Sequence, residues 1–208
     1  MKFYTRSEWG AAPPSDDLSP ASNGGQGTVH YSASRITARA KNMPKPEKPG
    51  EKWYRLWRNK ATPAIQRRNI SRAITDYNRK IALWKKMGGE VPPALVENEK
   101  AIVRGFQAFH QGPSRGWLDI AYHRIIFATG NIYEGRPLGT TGAHAVGANH
   151  TTGYCFVMGE GDEPTGQMID SFHEQRVKDG VRHYVGHRQR PGNSTSCPGA
   201  ALTAALDL

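Results

Sequence analysis

The sequence predicts an α/β fold in which strands and helices share one domain. Short apolar runs bounded by glycine and turn residues occur after residue 117 and are typical of strands. Longer segments carry apolar residues at helical spacing. The two kinds of segment are mixed along the chain, which indicates an α/β domain. With 208 residues, the chain is long enough for one domain with a hydrophobic core.

Strands are predicted at four places. Residues 28–31 resemble the end of a short strand. Residues 123–128 and 131–134 flank a Thr-Gly-Asn turn, which predicts a hairpin. Residues 154–158 form a further apolar run that ends at Gly159.

Helices are predicted at 64–87, 94–110, 166–178 and 198–206. The first has apolar residues alternately four and three positions apart, which places them on one stripe: Ile70, Ile74, Tyr77, Ile81 and Trp84. The second has an expected buried face of Leu95, Ile102, Phe106 and Phe109. Glycines and prolines at 88–93 separate these two helices, so residues 51–110 are expected to form an antiparallel helical hairpin.

The positive charge is concentrated in one segment. The whole chain has a net charge of +10, with 28 Lys and Arg residues and 18 Asp and Glu residues. Residues 35–90 hold 16 of the basic and four of the acidic residues, a net of +12, so the rest of the chain sums to −2. Such a segment favours an anionic partner, namely wall polymers, lipid headgroups or nucleic acid. The alternative is a solvated helix face.

The sequence has no apolar run long enough to cross a membrane. Its first residues lack the apolar core of a signal peptide, which predicts synthesis in a cytoplasm and exit by another route. The two cysteines, Cys155 and Cys197, are too few for a disulfide-built scaffold. A metal-binding or buried role is favoured over a single bridge.

Eight histidines raise the question of a metal site. His187 and Cys197 flank a loop rich in Gly, Pro, Ser and Thr, and both can face one point if that loop turns back. Pro198 and Gly199 suit a helix start, which would favour a Cys197 thiolate. His30 at a strand end would complete a His₂Cys set, the pattern of catalytic zinc. Spacing alone supports this set only weakly.

Several motifs together resemble the zinc amidase family that includes the T7-type lysozyme and the peptidoglycan recognition proteins. The resemblance covers residues 5–33 and about 98–206, in the family's order. The stretches that carry it are 5–11 (TRSEWGA), 29–33 (VHYSA), 109–123 (FHQGPSRGWLDIAYH), 142–145 (GAHA), 147–150 (GANH), 186–188 (GHR) and 195–199 (TSCPG).

The resemblance implies a central mixed β-sheet flanked by helices and a specific set of site residues. The implied zinc ligands are His30, His187 and Cys197. Tyr122 matches the tyrosine that faces the metal-bound water, and Thr195 matches a position held by Lys or Thr in active members. His144 and Asn149 match positions that line the substrate groove.

Two departures from the family pattern concern the site. Cys155 stands where some relatives carry a catalytic glutamate, so a glutamate base is not expected. His187 and Cys197 are ten positions apart, which makes a slightly longer loop than the family's and affects the direction in which the Thr195 side chain points.

The implied activity is that of an N-acetylmuramoyl-L-alanine amidase. Zinc lowers the pKa of bound water from about 15.7 towards about 7 and polarises the scissile carbonyl. Tyr122 and Thr195 can donate hydrogen bonds to the developing oxyanion. Either Tyr122 or a cleft histidine would carry the proton to the leaving amine. The alternative is a non-catalytic peptidoglycan-binding module of the same fold. The presence of Cys197 disfavours that alternative.

The sequence is therefore interpreted as a single amidase domain over residues 1–208, with a basic helical insert at about 39–95. It is expected to be a monomeric phage or bacterial lysin that acts on the bacterial cell wall after release from the host cytoplasm. Anionic wall polymers are the expected partners of the insert. Nucleic acid is not expected as a partner, because the insert carries no recognisable binding motif.

Overall fold

The computed structural model describes residues 2–33, 63–72, 74–75 and 93–208. The chain divides into two compact units, one formed by Met1–Asn42 and Pro93–Leu208 and the other by Met43–Pro92. In the second unit, residues 64–72 and 74–75 are helical. Ile70 is buried there, whereas Arg68 and Arg72 are exposed, as the apolar stripe predicts. The predicted stripe residues Tyr77, Ile81 and Trp84 lie outside the described residues.

The first unit is built on a mixed six-stranded sheet. Its strands are β1 (Phe3–Tyr4), β2 (Gln26–Tyr31), β3 (Arg124–Ile126), β4 (Ile132–Glu134), β5 (Thr152–Phe156) and β6 (His183–Gly186), in the spatial order β1-β4-β3-β5-β2-β6. All neighbouring strands are parallel except β3 and β4, which form the predicted hairpin. The mixed sheet confirms the predicted fold class.

The described residues of this unit form four α-helices: α1 (Arg6–Trp9), α2 (Pro93–Gln111), α3 (Gly166–Lys178) and α4 (Ala200–Ala205). Helix α3 has the predicted bounds, and the hydroxyl of Thr165 caps it by accepting the backbone N–H of Met168 at 3.2 Å. Of the helices in the described ranges, none combines the length and the apolar character that a membrane span requires.

The central strands β2 and β5 separate the hydrophobic core from a polar face. Val29 lies opposite Tyr154 in the parallel ladder, and the next pair along the strands is His30 and Cys155. Because successive side chains point to opposite faces of a sheet, these two pairs face opposite ways. The Val29 face packs against α3 and α4, with Phe156, Met168, Phe172 and Leu202 in one buried cluster. His30 and Cys155 therefore lie on the face away from this core.

Helix α2 buries a face that its apolar residues predict only in part. Phe109 is 53% exposed, so this part of the prediction is wrong. Leu95 is buried as predicted, and Ile102 and Phe106 are half-buried. The other buried residues are Val96, Glu99, Val103, Gln107 and His110. Glu99 accepts hydrogen bonds from Thr129 at 2.6 Å and Asn131 at 2.9 Å, so its burial is compensated. Three of the six buried residues, Glu99, Gln107 and His110, are polar and hydrogen-bonded, and a search for apolar spacing misses them.

Candidate metal centre

Three residues of the first unit bring ligand atoms to one point. His30 lies in β2, His187 opens a 3₁₀ turn (His187–Gln189) directly after β6, and Cys197 precedes α4. Strands β2 and β6 are parallel neighbours in which Val29 lies opposite Gly186. The next residue along each strand is a histidine, so His30 and His187 lie side by side at the same end of the two strands. The ligand atoms of His30, His187 and Cys197 all lie within 4.8 Å of one another. This arrangement is a candidate metal site.

The loop between His187 and Cys197 turns back on itself, as its composition predicts. The backbone N–H of Arg188 donates to the carbonyl oxygen of Cys197 at 2.9 Å, which closes the loop at its ends. The Sγ atom of Cys197 then lies 3.8 Å from Nδ1 of His30. The ring centroids of His30 and His187 are 4.6 Å apart. Loop closure therefore supplies two of the three donors.

Burial sets the protonation of these donors. His30 is almost fully buried, and burial lowers its pKa well below the ordinary value, so its imidazole is neutral. Burial also raises the pKa of the Cys197 thiol to about 11. Helix α4 begins at Ala200, three residues later. A bound cation would displace the thiol proton.

Hydrogen bonds at Nε2 of His30 and Nε2 of His187 orient the two imidazoles so that Nδ1 of each faces the site. His144 Nε2 lies 3.0 Å from the carbonyl oxygen of Thr151, which can only accept, so His144 carries its proton on Nε2. Its Nδ1 atom then accepts from Nε2 of His30 at 3.1 Å. Nε2 of His187 donates to Oδ1 of Asn193 at 2.9 Å in the same way. Both rings thus turn Nδ1 towards the site, and an unprotonated Nδ1 is a form in which histidine binds metals.

Tyr122 lies beside the three candidate ligands. Its ring centroid is 5.2 Å from that of His30 and 5.9 Å from that of His110. The Cys155 thiol, which lies opposite His30 in the β2–β5 ladder, is also close to the Tyr122 side chain. Burial raises the pKa of Tyr122 well above its ordinary value. The tyrosine is therefore a neutral hydrogen-bond donor at the edge of the site.

The remaining predicted residues lie on the two loops around the site. Thr195 is exposed, and its Oγ1 accepts the backbone N–H of Cys197 at 3.1 Å. Because the hydroxyl is the acceptor in that bond, its own proton is still available for donation. Oδ1 of Asn149 accepts the backbone N–H groups of His144 at 2.7 Å and Ala145 at 2.9 Å. The placement of His144 behind His30, with 7% exposure, was not anticipated from the sequence.

Two residues that take part in the site carry no recognisable sequence motif. Asn193 orients His187, and the backbone of Thr151 orients His144. The only sequence signal for Asn193 is the lengthened loop in which it lies. Cys155 and Cys197 are both free, so no bridge between them competes with the candidate metal site.

The chain resembles known proteins in sequence over part of its length. No protein-family model matches it. A stretch of 109 residues, 49% of this chain, is 32% identical to 58% of peptidoglycan-recognition protein SC1a/b of Drosophila simulans. A stretch of 71 residues, 34% of this chain, is 40% identical to 46% of the endolysin of Escherichia phage T7. The chain spans about half the length of these curated relatives.

The fold has known counterparts over nearly the whole chain. The crystal structure of Drosophila peptidoglycan recognition protein SD matches with a TM-score of 0.63 and 21% identity, over 100% of this chain and 94% of that one. Peptidoglycan recognition protein LE, solved with tracheal cytotoxin, matches with a TM-score of 0.60 and 24% identity, over 95% and 87%. The chain is therefore similar in sequence, over about half of its length or less, to peptidoglycan-recognition proteins and a phage endolysin, and it has the fold of the peptidoglycan recognition proteins.

Proposed function

We propose that this chain is a zinc-dependent N-acetylmuramoyl-L-alanine amidase, which cuts peptidoglycan between N-acetylmuramic acid and the L-alanine of the stem peptide. The observation that carries the proposal is the convergence of His30, His187 and Cys197 within 4.8 Å. Three protein ligands leave a coordination position open, which is typical of catalytic rather than structural zinc. The peptidoglycan-recognition and endolysin relatives support the substrate class.

The donor set suits zinc. Two imidazoles and one thiolate are ligands that zinc takes in proteins. The hydrogen bonds from the two Nε2 atoms leave both Nδ1 lone pairs for the ion. A divalent cation would displace the proton of Cys197, whose thiol is otherwise protonated at neutral pH. When bound, zinc supplies Lewis acidity, which lowers the pKa of water and polarises the scissile carbonyl.

The residues around the metal centre supply hydrogen-bond donors. The raised pKa of Tyr122 keeps its hydroxyl protonated, so it can donate to the carbonyl oxygen as negative charge develops there. The Thr195 hydroxyl is the second donor in this proposal. Its position next to the ligand is fixed by the bond from the Cys197 backbone.

Hydrolysis also requires a proton for the leaving amine. The water oxygen joins the carbonyl carbon, the C–N bond breaks, and a proton from that water reaches the L-alanine nitrogen. His144 is a poor carrier, because both of its ring nitrogens are already hydrogen-bonded. We therefore assign proton delivery to the hydroxyl of Tyr122, next to the ring of His30.

The test combines metal content with product analysis. The purified protein should contain one zinc ion per chain and should release stem peptides with a free L-alanine amino group from purified peptidoglycan, as read by mass spectrometry. A Cys197→Ser variant is the matched control for both measurements. New reducing ends on the glycan would contradict the proposed bond. Tight binding to peptidoglycan without any products would favour the alternative, a non-catalytic binding module, which the names of the recognition-protein relatives suggest.

We also propose a cell-wall location and a role for the basic segment. An endolysin-like enzyme would act on the bacterial wall after release, as a monomer. The +12 charge of residues 35–90 would bind anionic wall polymers and keep the enzyme near its substrate. Exposed Arg68 and Arg72 support this part of the proposal.

A further inference from the structure

The side chain of Asn193 connects a candidate metal ligand to a second loop. Its Oδ1 accepts from Nε2 of His187 and from the backbone N–H of Val146, both at 2.9 Å. Its Nδ2 donates to the carbonyl oxygen of Val146 at 3.0 Å, so the amide pairs with both backbone groups of that residue. Further bonds to the carbonyl oxygens of Arg190 and Pro191 hold Asn193 in its own loop.

The same second loop, residues 142–149, also carries the partner of the other histidine ligand. His144 lies in this loop and accepts from Nε2 of His30. Asn149 closes the loop by accepting two of its backbone N–H groups, those of His144 and Ala145. One short loop thus reaches His30 through His144 and reaches His187 through Asn193.

The position of the His144 ring is fixed by two glycines. A Cβ atom at Gly142 would come within 2.4 Å of Cδ2 of His144, and one at Gly153 would come within 2.6 Å of the same atom. Real Cβ atoms do not approach other heavy atoms so closely, so the ring occupies the space that side chains would fill at these positions. A shift of the loop would therefore displace His144 from this space and break its hydrogen bond with His30.

We propose that Asn193 is a positioning residue that locks His187 to loop 142–149, so that metal binding and the order of this loop are energetically coupled. The inference rests on the proposed metal centre, but it does not depend on the reaction that the centre performs. Partners that hold the outer nitrogen of a ligand histidine typically contribute ~10–100-fold to metal affinity. Coupling between two sites is reciprocal, so bound metal must stabilise the loop as much as the loop stabilises metal binding.

Two substitutions of Asn193 separate its functions. Asn193→Ala removes the acceptor for His187 and both bonds to Val146, and it should weaken zinc binding ~10-fold or more. Asn193→Asp keeps an oxygen acceptor for His187 and for the Val146 N–H, so zinc affinity should stay at or above the wild-type value. Ser194→Ala changes the next, exposed residue of the same loop and serves as the matched control. Affinity is measured by competition with a chromophoric chelator.

Hydrogen exchange tests the loop directly. In the wild type, zinc should slow exchange of the Val146 amide, and Asn193→Ala should abolish this slowing. Equal zinc affinity in Asn193→Ala and Ser194→Ala would overturn the coupling. It would also be overturned if the exchange rate of the Val146 amide in the wild type were the same with and without zinc. If the wild type binds zinc with the expected coupling but does not cleave peptidoglycan, the proposed activity fails and the inference stands. If the wild type binds no zinc, the metal centre fails and the inference fails with it.

Discussion

The two histidines of the candidate metal centre are held by different kinds of structure. His30 lies on the central strand β2 and is 1% exposed. It donates a hydrogen bond to His144, which is itself buried and hydrogen-bonded to the backbone carbonyl of Thr151. His187 lies in a short turn and is half-buried. It donates a hydrogen bond to Asn193, which lies in a loop. The sheet fixes one ligand as part of folding, whereas loop closure fixes the other. Changes on the His30 side should therefore reduce stability, and changes on the His187 side should mainly reduce metal affinity.

The largest effect is expected for Cys197→Ser, which removes a ligand from the loop side. A neutral hydroxyl is a poor substitute for a zinc-bound thiolate, so hydrolysis should become undetectable and zinc content should fall sharply. The measurements are metal analysis after dialysis and mass spectrometry of digested peptidoglycan. Full zinc content in this variant would remove Cys197 from the site.

Tyr122→Phe should give the next largest effect, without a change in either histidine. The substitution keeps the ring next to His30 and removes only the hydroxyl, so zinc should be retained. Loss of one oxyanion donor typically lowers turnover by roughly 10²-fold or more. Steady-state rates on a soluble muropeptide provide the measurement, and a wild-type rate would show that the hydroxyl has no catalytic part.

The stability difference between the two sides can be measured with one variant on each. His144→Ala leaves the buried Nε2–H group of His30 without a partner, which typically costs about 1–3 kcal/mol, and it opens a cavity as well. Asn193→Ala on the loop side should cost less than about 1 kcal/mol, because water can replace its bonds. Urea unfolding of both variants in the presence of a chelator compares the metal-free proteins. Equal losses would mean that the loop side is as much a part of the folded core as the sheet side.

Cys155→Ala should have a small effect, although Cys155 lies opposite His30 in the ladder. It removes one buried thiol group next to Tyr122. By the usual scale for one buried group, this loss lowers the free energy of unfolding by about 1 kcal/mol. Most activity should remain, in contrast to Cys197→Ser. A loss of zinc in Cys155→Ala, by metal analysis, would make Cys155 a fourth ligand.

The sequence predicts the elements with a clear apolar pattern and the motif residues better than the short elements and the contacts between loops. The hairpin β3–β4 and helix α3 are predicted by apolar runs and the turn residues that flank them. The three candidate ligands are predicted by motifs that resemble those of the amidase family. The two-residue strand β1 and the one-turn helix α1 are too short to leave a periodic signal. The role of Asn193 depends on how the lengthened loop folds onto Val146, a long-range pairing that no local spacing encodes. The buried face of α2 was predicted only in part, because three of its six buried residues are polar and depend on hydrogen bonds rather than on apolar character.

The smallest effect on the chemistry itself is expected from the basic segment. Arg68 and Arg72 are exposed on the described helical residues of the second unit, in a segment of net charge +12. Reversing both charges, with Arg79 as a third site outside the described residues, should weaken binding to anionic walls. Cleavage of a small soluble muropeptide should stay nearly unchanged, because the metal centre belongs to the other unit.

Salt dependence distinguishes electrostatic wall binding from a structural role of this segment. Exposed charges are screened over about 8–10 Å at physiological ionic strength, so added salt should reduce wild-type lysis of whole cell walls steeply. The charge-reversed variant should lyse cell walls more slowly at low salt, and its rate of lysis should change much less as salt is added. Lysine substitutions at the same positions keep the charge and provide the matched control. If the reversed and the lysine variants lyse walls equally well at every salt concentration, the segment is a solvated helix face and carries no wall-binding function.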